Sequence, residues 1–177
     1  LGFVRISCGV EDYPTKIKGD SVQWSEVIEN PYLKDLPFKI ELNKFGKLLM
    51  SPASNQHGCW EYKLGRILES GCPEGEIIIE CAIQTSDGVK VADVVWASAA
   101  FIAQYGYTTP YPYAPEICIE IVSPSNSLEE MQQKAQLYLA AGAIEAWTIW
   151  ENGVIDYYDA SGKIGASRYG IEVKLPT

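Results

Sequence analysis

A chain of 177 residues with 47% hydrophobic and 21% charged side chains can bury one substantial core and is too apolar to be disordered. No apolar run approaches the roughly 20 residues that span a bilayer, and the opening residues lack a charged-then-apolar leader, so no membrane partner is expected. A net charge of −9, with no Lys/Arg cluster, argues against strong unaided grip on nucleic-acid phosphates. It does not exclude a nucleic-acid partner met through a local basic patch or a bound metal.

The first stretch, up to about Leu36, is polar and holds one short helix over 22–28, with Asp20-Ser21 as cap and Asn30-Pro31 as stop. Phe38-Lys39-Ile40-Glu41-Leu42 alternates as a strand, and Gly46 leads into a second strand at Lys47-Leu48-Leu49-Met50, which together predict a hairpin. Ser54 caps a helix running to about Ser70, its apolar stripe made by Trp60, Leu64, Ile67 and Leu68. Strands over 76–84 and 89–96 flank the turn Ser86-Asp87-Gly88. Residues 97–115 form a Tyr- and Pro-rich connection without obvious structure; it reads equally as a functional or mobile loop and as a flap packed by its own tyrosines. A strand over 116–122 follows. Ser127 and Glu130 then make a capping box for a helix to about Ala141, with Gly142 at its exit. Strands over 144–150 and 154–159 flank the Asn152-Gly153 turn, and a last strand is expected near 169–175.

The cysteines, Cys8, Cys59, Cys72, Cys81 and Cys118, include no C-x-x-C pair, and His57 is the sole histidine. A Cys/His zinc site is therefore excluded, and the odd set of thiols fits a reducing, cytoplasmic setting. His57 stands near a helix start and reads as a capping or surface residue without a catalytic role. Glu61, beside the apolar stripe, reads as solvated.

The chemistry gathers on two carboxylates. Glu120 lies within Ile117-Cys118-Ile119-Glu120-Ile121-Val122, and Asp93 within Val91-Ala92-Asp93-Val94-Val95-Trp96. A carboxylate in such a run is costly unless it is paired, hydrogen-bonded or bound to a cation. Two of them in adjacent strands could converge on a hard divalent ion. Each could equally sit at a strand end or pair with Lys or Arg. Lys134 lies two turns, about 10 Å, along the helix that follows Glu120, so it can stand beside that strand or simply be solvated.

The order Val-Ala-Asp93-Val-Val-Trp, then Pro115-Glu-Ile-Cys-Ile-Glu120-Ile-Val-Ser123-Pro124-Ser125, then Lys134, Tyr138 and Gly142, resembles the Uma-type restriction endonuclease domain family of bacteria. That family is a branch of the PD-(D/E)XK nucleases. Gly46 to Pro52, His57-Gly58 and Glu145-Ala-Trp147 also match, so the resemblance spans roughly Phe38 to Tyr158. Two departures stand out. Ala92 replaces the proline of Pro-Asp, and Val122 occupies the place of the Glu-x-Lys lysine, which here looks transferred to Lys134.

The resemblance implies an α/β restriction-endonuclease-like fold, with a central mixed sheet flanked by helices. Residues 37–177 would form the nuclease domain, and 1–36 an N-terminal segment whose short helix packs on it. The implied activity is metal-dependent hydrolysis of nucleic-acid phosphodiester bonds, with DNA the expected substrate and a homodimer a possible assembly. Asp93 and Glu120, with the main-chain carbonyl of Ile121, would hold Mg²⁺ or Mn²⁺, and Lys134 would serve the attacking water or the phosphate. Glu80 matches a further acidic position of the family, neighbouring Asp93 across the hairpin, although a one-residue register shift would turn it to the other face. The alternative is a catalytically inactive binding or regulatory module that keeps the fold.

Overall fold

The structure, a computed structural model, describes residues 22–33, 35–52, 54–123 and 126–175. The chain order is α1 (Trp24–Ile28), β1 (Phe38–Leu42), β2 (Leu48–Pro52), α2 (Asn55–Gly71), β3 (Gly75–Thr85), β4 (Gly88–Ser98) and α3 (Ala99–Tyr105). Then come β5 (Ile117–Val122), α4 (Leu128–Ala140), β6 (Glu145–Trp150), β7 (Ile155–Asp159) and β8 (Gly162–Ile164). Among the described residues these make one mixed sheet of eight strands, ordered β2-β1-β4-β5-β6-β7-β8, with β3 also paired to β4. All pairings are antiparallel except β5 with β6, whose parallel run requires the α4 crossover between them. The expected mixed α/β sheet flanked by helices is what the chain forms.

Burial follows the apolar patterning. Every residue of β5 is buried, as its unbroken run of Ile, Cys and Val requires of a strand covered on both faces. Trp60, Leu64 and Leu68 of α2 close over Val94, Trp96, Ile117, Ile119, Trp147 and Ile149 on one face. Ala135 and Tyr138 of α4 and Phe101 of α3 close over Val95, Ala97, Cys118 and Ala146 on the other. Trp24 and Val27 of α1 pack with Leu42, Val89 and Val91. The Asp20-Ser21 cap expected for this helix lies outside the described residues, and so do Pro124 and Ser125 of the Ser-Pro-Ser motif.

Two expectations are corrected. The connection 97–115 contains a helix: the Ser98 hydroxyl accepts from the Phe101 N–H and starts α3. Phe101 then packs against Tyr105 and Tyr111, with ring centroids 4.8 and 5.0 Å away, so these three rings cluster while Tyr107 and Tyr113 stay exposed. The strand expected over 169–175 does not form. Tyr169, Ile171, Val173 and Leu175 pack as one apolar row against the Trp96 side of the core, but no strand lies beside them. Their alternation reflects one-sided burial alone. Gly162–Ile164, too short to read from sequence, supplies the last strand instead.

Candidate functional site

The site arises where the sheet forks. Along one edge β4 follows β3 for its full length, interrupted only at Glu80 and Asp93. Along the other it meets β1 at Val89 and β5 only from Val94 to Trp96. Between those contacts side chains replace the missing strand: Glu41 Oε1 accepts from the Val91 N–H at 3.0 Å, and Asp93 Oδ2 accepts from the Ile121 N–H at 2.6 Å. The fork opens a cleft of about 210 Å³ whose walls include Lys39, His57, Glu80, Asp93, Glu120 and Lys134.

Asp93 and Glu120 are 1% and 4% exposed, so neither is the solvated strand-end acid that its sequence also allowed. The Lys39 ammonium bridges them, 2.5 Å from Asp93 Oδ1 and 3.3 Å from Glu120 Oε2. Lys134 reaches the same Glu120 oxygen at 3.2 Å and Glu41 Oε1 at 2.8 Å. The remaining oxygen of Glu120 accepts from the Tyr138 hydroxyl at 2.5 Å. Ser127 starts α4 by accepting from the Glu130 N–H, and this helix carries Lys134 and Tyr138 one turn apart on the side facing Glu120. Ile121 lines the cleft, where its N–H is committed to Asp93.

His57, assigned no role from sequence, comes to the centre. The Ser54 cap fixes the start of α2, which places His57 Nε2 3.2 Å from Asp93 Oδ1 and 3.5 Å from Glu61 Oε1. Ligand atoms of His57, Glu61, Glu80 and Asp93 all lie within 4.8 Å of one another. Lys39, Glu41, His57 and Glu61 are thus the members of the cluster that sequence reasoning passed over. The signal for Lys39 and Glu41 was partial: alternation over Phe38–Leu42 puts them on one face of a strand, and only the fold sets that face against Asp93. His57 and Glu61 stand one helical turn apart, the spacing that puts two side chains on one helix face.

The electrostatics are those of a crowded site, dry around Asp93 and Glu120 and open to solvent at Glu80. Burial acts to raise the Asp93 carboxyl, but the Lys39 ammonium and His57 overcome it and hold the group well below the usual range. His57 is pushed up to about 10, first by its hydrogen bond to Asp93 and then by that to Glu61. Glu80 is pushed up to about 7 by burial, with Asp93 and Glu61 adding to the rise against the pull of Lys39. Burial lowers Lys134, yet the carboxylates of Glu120 and Glu41 carry it above its ordinary value, so it stays an ammonium at neutral pH.

These residues suit a hard divalent cation. Their carboxylate oxygens are the donors that Mg²⁺ and Mn²⁺ accept, and His57, held protonated by Asp93 and Glu61, would join them only on losing its proton. Glu61 Oε1 is buried with only the long 3.5 Å approach of His57 Nε2, and the ammonium between Asp93 and Glu120 shows that positive charge is already drawn to the space between them.

The fold is shared with the crystal structure of a putative nuclease belonging to DUF820 from Anabaena variabilis ATCC 29413, at a TM-score of 0.59 and 19% identity. The match covers 68% of this chain and 71% of that one, and at this identity it concerns the fold. No curated protein matches the sequence. Among the described residues no helix is long and apolar enough to cross a membrane. Residues 30–162 match the family model Uma2, described as "Putative restriction endonuclease"; this is most of the chain, which therefore belongs to that family.

Proposed function

We propose that the chain is a metal-dependent endonuclease that hydrolyses nucleic-acid phosphodiester bonds, with DNA as substrate. The observation that carries this reading is the fork: two buried carboxylates from β4 and β5 converge on one cation, with a second ammonium beside them. Asp93, Glu120 and the Ile121 carbonyl are the proposed oxygen donors for Mg²⁺ or Mn²⁺, and Glu80 is the third carboxylate at the same cleft. When bound, such an ion lowers the pKa of a coordinated water and offsets charge on the phosphate.

The chain's own residues supply the rest. Asp93 and Glu120 are held in fixed orientations, one oxygen each tied to the Ile121 N–H and the Tyr138 hydroxyl. Lys134, kept protonated by Glu120 and Glu41, cannot readily accept a proton from water. Of the roles open to it, orienting the water and offsetting phosphate charge are therefore favoured over general base catalysis. Family membership supports the nuclease class, and the donor chemistry supports a metal.

Plasmid nicking in Mn²⁺ tests the reading. Wild type should cleave, and Lys134→Ala should lose on the order of 10²-fold or more, as removal of one transition-state charge partner does. Mn²⁺ should also raise the melting temperature of wild type but not of the Asp93→Ala, Glu120→Ala double variant. Equal cleavage by wild type and Lys134→Ala, or an equal thermal response of wild type and the double variant, would count against it. A binding module that keeps the fold is the reading left if wild type neither cleaves nor responds to metal.

A further inference from the structure

The hydrogen bonds divide the four carboxylate oxygens of Asp93 and Glu120 into two kinds. One oxygen of each is locked by the fold: Asp93 Oδ2 by the Ile121 N–H and Glu120 Oε1 by the Tyr138 hydroxyl. The other two, Asp93 Oδ1 and Glu120 Oε2, both face the ammonium of Lys39, with His57 Nε2 also 3.2 Å from the first and Lys134 Nζ 3.2 Å from the second. A cation joining the two acids through their unlocked oxygens would use these atoms. Lys134 and His57 do not compete in the same way, because each touches one of these two oxygens whereas Lys39 joins both. The Lys39 side chain is 12% exposed, held in the cleft wall by a strand that is itself hydrogen-bonded to β2.

We propose that Lys39 is the resident cation of this site: its ammonium holds Asp93 and Glu120 together until a divalent ion arrives, and the ion binds by displacing it. This rests on the metal-dependent reading above. An ammonium and a divalent ion cannot share the same two oxygens in a buried cleft without strong repulsion. Lys39 therefore weakens metal binding and keeps the empty site from collapsing through mutual repulsion of its acids. It gates the loading of the site; Lys134 stays in place when the ion enters.

Isothermal titration of Mn²⁺ into the metal-free protein is the test, with wild type compared to Lys39→Met, which keeps the aliphatic stem and removes the charge. Lys39→Met should bind Mn²⁺ about tenfold or more tightly, a change of about 1.4 kcal/mol or more. Its metal-free melting temperature should fall below that of wild type. Equal or weaker Mn²⁺ binding by Lys39→Met, with wild type binding normally, overturns the role of Lys39 and leaves the metal reading standing. Absence of Mn²⁺ binding in both proteins overturns the two together. Should Lys39→Met fail to fold, acetylation of wild-type lysines read by mass spectrometry decides the matter. Lys39 should pass from protected to labelled as Mn²⁺ saturates the protein, while Lys134 stays protected; unchanged protection of Lys39 at saturation overturns the proposal.

Discussion

Glu80 is the one non-glycine among the described residues with positive φ, at 54°, and it sits in mid-strand opposite Asp93. That conformation costs an L-residue about 1–2 kcal/mol. Its effect is to reset the alternation of β3: Ile78 faces the α4 side, and so do Cys81 and Ile83, three and five residues further on. The one-residue ambiguity visible in the sequence is thus resolved by a turn of face at Glu80 itself. Its raised carboxyl has a testable consequence. In the unfolded chain Glu80 ionises near the ordinary glutamate value of 4.5, and in the folded chain only at about 7. The folded state therefore loses stability, relative to the unfolded, as pH climbs from 4.5 through 7. Glu80→Gln should raise the melting temperature of the metal-free protein at pH 8 and change it much less at pH 4.5; equal shifts at both pH values would contradict this. Asp93 and Glu120 were legible because a carboxylate inside an apolar run is anomalous. Lys39 was not, because alternation in β1 tells which residues share a face and not whether that face meets water or another strand's acids.

At the level of elements, turns and caps set the site's precision. Gly88 opens β4 at φ 84°, and a Cβ there would meet the Leu42 carbonyl oxygen at 2.2 Å, the point where β1 touches β4. Gly88→Ala should destabilise the protein by about 3 kcal/mol, combining left-handed strain with a backbone clash. Urea unfolding measures it, and a loss below about 1 kcal/mol would mean that the β1–β4 junction yields freely. The α2 and α4 helices were readable because Ser54 and Ser127 precede apolar stripes, and both serines cap as their positions predict. The α3 helix escaped notice because its seven residues sit among tyrosines and prolines that signal a loop. Residues 169–175 misled in the other direction, since a one-sided apolar row looks the same whether or not a partner strand exists.

Over the whole molecule, the charge of −9 constrains how nucleic acid can be met. With positive charge in the cleft supplied by Lys39, Lys134 and His57 and largely matched by neighbouring acids, few counterions are released on binding. The logarithm of duplex-DNA affinity should fall against the logarithm of salt concentration with a slope no steeper than about −2. Fluorescence anisotropy across a salt series measures it, and a slope near −6 would reveal a basic surface elsewhere.

Sequence by itself determined the α/β class, most strands and the two long helices, because apolar period and capping residues act locally. It also marked Asp93 and Glu120, because burial of charge is costly wherever the strand lies. Only the tertiary structure decided what those acids meet. β1 and β5 part along one edge of β4, and the gap gathers Lys39, Glu41, His57 and Glu61 from segments with no local sign of one another. Pairing of distant strands is a property of the folded sheet, so the cation between the two acids came into view only there.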